Sequence, residues 1–266
     1  MNRRLSLSFL TLLCLASTTP RPANAADAGT VVSERRALDT AVAASNADAI
    51  VAARNRLAAL SATEPNDPTW HYWTAVAAWR ATPLLMRADK KLAKQVCKDG
   101  LLHAERLVKL DPKHAEGWAL MAGLEGLSLS FAPPMAGMTL GPKMEEEMRR
   151  AVTLDPKNPR VVLLQGINTF HKPAFVGGGP EKALPILESA QTLFAADAAT
   201  DSTAPAWGRD DAYLWAGQAE MKLKHYGEAR EAYRKALEAN PGNAWVRARL
   251  LPEAEKALAA GPTSGK

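Results

Sequence analysis

The chain has 266 residues, 47% of them hydrophobic, and a formal charge of +5. It is long enough to bury a sizeable core. Both signs of charge are mixed along it rather than gathered into a basic stripe, so no nucleic acid is expected as a partner.

The opening, MNRRLSLSFLTLLCLASTTPRPANA, sets Arg3 and Arg4 before an apolar run from Leu5 to Ala16 and ends in Ala23-Asn24-Ala25. This is the pattern of a secretory signal peptide with an A-x-A cleavage site. Residues 1–25 are therefore expected to be removed, leaving a periplasmic or secreted protein over 26–266. The apolar run is about a dozen residues, short of the roughly 20 that span a bilayer, so no permanent membrane anchor is expected. Leu13 before Cys14 does not fit a lipoprotein signal, and Leu5-Ser6 do not fit a twin-arginine one. Losing Arg3, Arg4 and Arg21 lowers the charge to +2 and leaves Cys97 alone. An intrachain disulfide is then impossible, and stability must come from packing.

From residue 33 the chain repeats one grammar: apolar helix, turn, second helix, and a stop at Asp-Pro or a close equivalent. Five helix pairs are expected, over 33–64, 68–111, 115–155, 159–196 and 210–240. Proline suits these stops because it ends one helix and is tolerated in the first turn of the next. RLAALSATEPNDPTWHYW turns around Pro65; LVKLDPKHAEGWALMAG sets out Pro112, Trp118 and Ala122; AVTLDPKNPRVVLLQG sets out Pro156, Val162 and Gly166 in the same spacing. Trp70, Trp73 and Trp79 follow near-helical spacing and are expected between helices.

The stretch FVGGGPEKAL, from Phe175 to Leu184, looks like a phosphate loop. It has neither the Walker nor the dinucleotide-binding spacing, and no strand precedes it. EKALPILESAQ aligns with the later GEAREAYRKAL, matching Ala183 with Ala229, Leu187 with Tyr233 and Ala190 with Ala236. Gly179 is then a helix cap, Pro180 the first turn, and Glu181 sits at the positive end of the dipole.

The clearest unit is the last, DAYLWAGQAEMKLKHYGEAREAYRKALEANPGN. Tyr213, Gly217, Ala229, Tyr233, Ala236 and Pro241 stand at intervals of 4, 12, 4, 3 and 5. This resembles the tetratricopeptide repeat, whose helix pair carries a large residue, a small one at the helix contact, then Ala, aromatic, Ala and a closing Pro. Ala216 and Glu220 depart from that pattern, where Leu and Tyr are usual. The resemblance implies an all-α, TPR-like helical solenoid of about five pairs, with a capping helix from about Ala244 to Ala259. It also implies a scaffold that binds other proteins.

Measured against the last unit, three earlier pairs are longer. The span from Ala75 to Pro112 exceeds its counterpart by 13 residues, Ala122 to Ala151 by 10, and Gly166 to Ala183 by 5. These excesses are expected as enlarged turns on one edge, at 81–89, 130–143 and 171–180, with longer helix as the alternative for part of the first. Each sets proline beside large apolar residues, so Leu84, Leu85, Phe131, Met135, Met138, Phe175 and Val176 are candidate contacts for a partner or ligand. The alternative is that these residues cover the ends of their own helices.

Catalytic chemistry is thin. No histidine falls in HExxH or beside Cys97, there is no GxSxG, and no acid, base and nucleophile converge. Met144 and Met148, four apart, are expected on a buried helix face rather than around copper, and no metal or cofactor is expected. Arg87, Lys90, Lys94 and Lys98 share one helical face, expected to be solvated. The expected role is a non-catalytic module holding another envelope protein or peptide. Carriage of a small apolar ligand is the second reading, by similarity to the exported TPR proteins associated with TRAP transporters.

Overall fold

The computed structural model describes residues 26–197 and 203–261; the expected signal peptide lies outside the described residues. Eleven α-helices and no strand occur among them: α1 (Ala28–Ala43), α2 (Ala47–Thr63), α3 (Pro68–Ala88), α4 (Lys90–Leu110), α5 (Ala115–Ser128), α6 (Ala136–Leu154), α7 (Pro159–His171), α8 (Pro180–Ala196), α9 (Arg209–Leu223), α10 (Tyr226–Ala239) and α11 (Leu251–Ala260). They form five hairpins, α1/α2 to α9/α10, and α11 packs on α10 as a cap. The first helices α3, α5, α7 and α9 also touch in series, so the pairs stack into a solenoid.

Local chemistry explains the boundaries. The side chains of Asp27, Asn46, Asp67, Asp89 and Asn158 accept hydrogen bonds from free backbone N–H groups at the starts of α1, α2, α3, α4 and α7. Pro68, Pro159 and Pro180 occupy first turns, where a missing N–H costs nothing. Gly179 caps α8 at φ 102°, a conformation that favours glycine, as the alignment of FVGGGPEKAL predicts.

Two small residues set how closely paired helices approach. A Cβ on Gly166 would lie 2.6 Å from Leu187, and one on Gly217 would lie 2.5 Å from Tyr233. Leu187 and Tyr233 are the two residues that the repeat alignment equates, so the spacing encodes one helix contact used twice. Ala229 and Ala236 are buried beside Tyr233. One core runs from α1 to α9, and a smaller one joins Leu214, Tyr233, Val246 and Leu250 under the cap. Helix between Ala244 and Ala260 is continuous, with a π-helical turn at Val246–Leu250.

The expected turns need correction. Residues 81–88 belong to α3, and only Asp89 separates it from α4. Both helices have 21 residues, six more than α9 and seven more than α10, which accounts for the whole 13-residue excess. Pro83 sits inside α3 although it removes a backbone hydrogen bond, because the helix is held by Trp70, Trp73, Ala75, Ala77, Ala78 and Leu85 in the core. The excess in the third pair divides between a turn at 129–135 and five extra residues of α6. Only 172–179 is as large a turn as its segment suggests.

Candidate functional site

The face formed by the first helices is occupied by the chain itself. Tyr72 on α3, Glu116 on α5 and Arg160 on α7 succeed one another at 44-residue intervals. The Tyr72 hydroxyl donates to Glu116 Oε2, while Arg160 Nε donates to Glu116 Oε1 at 2.7 Å and Asn158 Nδ2 to the same oxygen at 3.0 Å. Burial and the Glu116 charge push the Tyr72 phenol well above its ordinary value, so it stays a donor. Trp207, just ahead of α9, donates its indole N–H to the Tyr72 oxygen at 2.9 Å.

A second contact locks the same segment. The Arg80 guanidinium lies 4.8 Å from the Trp79 ring and 5.1 Å from the Trp207 ring, and donates to Asp211 at 2.6 Å. Arg35 on α1 donates to the Ala204 carbonyl at 2.8 Å. The stretch leading into α9 therefore lies across α3 and α1, leaving a cavity of about 100 Å³ bordered by Leu38, Asp39, Arg80, Trp207 and Asp210. Desolvation raises the Asp39 and Asp210 carboxyls there. An open inner groove, the usual docking surface of such arrays, is not present around Trp207.

The edge that carries the turns within pairs is exposed. Phe175 is 89% exposed, Met138 71%, Met135 67% and Val176 49%. Met135 and Met138 stand at the start of α6; Phe175 and Val176 form a 3-10 turn before Gly177, which has φ 84°. Lys172, at the start of the second turn, pairs with Glu145 in the middle of α6 at 2.6 Å. Gly178 is pressed on the Lys172 carbonyl, where a Cβ would lie 2.1 Å from its oxygen, and Gly179 donates to the Thr169 carbonyl at 2.8 Å. The tip is thus a built turn whose apolar side chains face outward. Of the other candidates, Leu85 is buried and Leu84 and Phe131 pack partly against the core. Those three cover their own helices.

Other polar chemistry is dispersed. A groove of about 450 Å³ runs between α8, α9 and α10 and is lined by Glu188, Glu220, Glu228, Glu231, Arg230 and Lys235. His71 and His103 face each other at 2.9 Å between Nδ1 atoms, and His71 Nε2 meets the Pro65 carbonyl at 3.1 Å. The carbonyl makes His71 Nε2 the donor, so its Nδ1 accepts from His103. Desolvation lowers both, His103 to about 4. Cys97 is buried, and desolvation pushes its thiol up to about 11, which keeps it protonated at neutral pH. Met148 is buried and Met144 meets Gly126, as their spacing predicts. No group of three or more metal-ligating side chains occurs among the described residues.

Sequence reasoning missed the Tyr72–Glu116–Arg160 chain and its Trp207 tie. The signal was the 44-residue offset itself, already visible in Pro112 and Pro156, which places Glu116 and Arg160 at one register of successive first helices. Nothing local marks Trp207 as their partner, 135 residues beyond Tyr72.

Residues 210–243 match the model of the tetratricopeptide repeat. That stretch, α9 and α10, is a tetratricopeptide repeat, and the four earlier helix pairs share its architecture. No curated protein matches it. Among solved structures, the HusA haemophore from Porphyromonas gingivalis is similar over 74% of this chain and 94% of its own, at 22% identity and a TM-score of 0.62. A thermophilic TPR protein of Thermus thermophilus is similar over 88% of this chain and 100% of its own, at 18% identity and a TM-score of 0.60. These likenesses concern the fold.

Proposed function

We propose that the protein is an exported, non-catalytic scaffold that holds another envelope protein or peptide on the edge formed by Met135, Met138, Phe175 and Val176. Tetratricopeptide arrays are protein-binding scaffolds as a class, and what distinguishes this one is where its apolar surface lies. The observation that carries the reading is the 89% exposure of Phe175 on a glycine-shaped turn, beside an inner face already filled by Trp207. A large apolar side chain held outward by a fixed backbone loses little entropy when a partner covers it. The export half of the reading rests on the pattern of residues 1–25.

The test is the double substitution Met138→Ser and Phe175→Ser in a tagged chain produced in its native cell. A partner that co-purifies with the wild-type protein should be lost from the variant while the helical melt is unchanged. A partner retained in full would contradict the reading.

Carriage of a small apolar ligand is favoured by one observation. Phe170 and His171 on α7 and Trp215 on α9 form a half-exposed trio with ring centroids 5.1–5.5 Å apart. The surrounding chain partly desolvates His171 and lowers its pKa, although the residue is exposed. A flat aromatic ligand would stack there, and one similar structure is that of a haemophore. Titration with hemin should then give a saturable spectral change that Trp215→Ala removes; a change left intact by that substitution would discard this reading.

A further inference from the structure

The exposed start of α6 is intrinsically weak helix. No side chain caps its first turn, Gly137 and Gly141 meet no neighbouring atom within 4 Å of where a Cβ would be, and Pro142 removes a hydrogen bond within the helix. Yet this is the segment that carries Met138 and adjoins Met135. What holds it is an ionic cluster one residue further on, in which two buried carboxyls meet an ammonium on a side chain that is 51% exposed. Lys143 Nζ bonds Glu125 Oε1 of α5 and lies 3.5 Å from Glu147 Oε1 of α6. The Glu125 and Glu147 side chains are only 2% and 5% exposed, and the Oε2 atom of each is buried without a hydrogen-bond partner.

Two buried carboxyl groups facing one ammonium do not balance if both are ionised. We propose that Glu125, Glu147 and Lys143 form a proton-operated latch that fixes the first two turns of α6 on α5 and so sets the position of Met135 and Met138. With one proton on the pair, a single carboxylate faces a single ammonium and the cluster is neutral. With none, a net negative charge is left on carboxyls almost wholly shielded from water, and the weak helix start is the element free to move and open them to solvent. Desolvation first, and then the Glu125 charge, raise Glu147 to about 7, which puts the change near neutrality. From α5 the facing charge is Glu125 and from α6 it is Lys143; α7 contributes the neutral Asn168 near Gly126, and the pair Lys172–Glu145 lies outside the cluster.

This inference rests on the reading of the edge as the docking surface, but its test needs no partner. Spin labels are placed at Met138→Cys on α6 and Leu102→Cys on the exposed side of α4, with Cys97 left buried, and their distance distribution is followed from pH 5.5 to 8.5. One narrow distribution is expected at low pH and a second, broader one above a midpoint of about 7. The added Glu147→Gln substitution, which imitates the protonated side chain, should keep the narrow distribution throughout. An unchanged distribution in the wild-type background, or the same pH response with Glu147→Gln, would overturn the latch. A partner still captured in full by the Met138→Ser, Phe175→Ser variant, with an intact pH response, would instead count against the docking surface alone.

Discussion

Trp207 reaches back across 135 residues to place its indole N–H 2.9 Å from the Tyr72 hydroxyl oxygen. That bond, with the Arg80 guanidinium between the Trp79 and Trp207 rings, closes the inner face of the array. Trp207→Ala should destabilise the protein by about 3–5 kcal/mol, as expected for truncating a buried aromatic. Urea unfolding measures it, and a loss below about 1 kcal/mol would mean that the segment before α9 is not anchored there.

Tyr72→Phe is a finer probe. It leaves the Glu116 Oε2 and the Trp207 N–H unpaired in a buried site, at a cost of about 1–3 kcal/mol. Phe is nearly the same size, so the loss reports the hydrogen bonds rather than packing, and urea unfolding again reads it.

The two phenylalanines of the turns should behave differently. Phe131 packs partly against the core, so Phe131→Ser should lower the melting temperature by several degrees. Phe175 is exposed, and Phe175→Ser should leave it within a degree or two. Equal melts for both would contradict the division between covering and displayed side chains.

Gly217→Ala tests the repeat contact. The added methyl would press on the Tyr233 ring at 2.5–3.0 Å, and overpacking of this kind costs about 1–3 kcal/mol. Gly137→Ala, where nothing lies within 4 Å, should be neutral or slightly stabilising by helix propensity. Thermal melts of the two variants compare them directly.

Acid should weaken the His71–His103 contact. Both histidines have lowered values in the fold, so the unfolded chain binds protons more readily. Their contribution is complete above the ordinary value of 6.5 and is lost as pH falls towards the His103 value of about 4. Replacing both by Gln should flatten that part of the stability profile; a profile as steep as the wild type's would assign the acid sensitivity to other groups.

The helix pairs were legible because their signals are local and periodic. Pro112 and Pro156 end helices wherever they stand, and Gly217 must be small because Tyr233 crosses it. The turn that carries Phe175 and Val176 was legible from Gly179 and Pro180 at the start of α8, but the sequence left open whether their side chains are displayed or cover their own helices. Leu85 was misread because an excess of length can be spent on helix as well as on turn, and Pro83 next to apolar residues resembles a loop in sequence. Trp207, Arg80 and Asp211 were not legible at all, since superhelical stacking alone brings α9 back onto α3. The Glu125–Glu147 pair escaped for the same reason, being a contact between two helix faces whose register only the packing fixes.

The central claim is that the turn-bearing edge, and not the inner face, receives a partner. In-cell photo-crosslinking from position 175, set beside crosslinking from Gln218, two helical turns beyond Asp211 on the same face of α9, with adducts identified by mass spectrometry, tests it most directly. The account predicts one defined protein adduct from position 175 and none of that protein from position 218. An adduct formed from position 218 alone, or crosslinks from position 175 that reach only this chain's own helices, would contradict it.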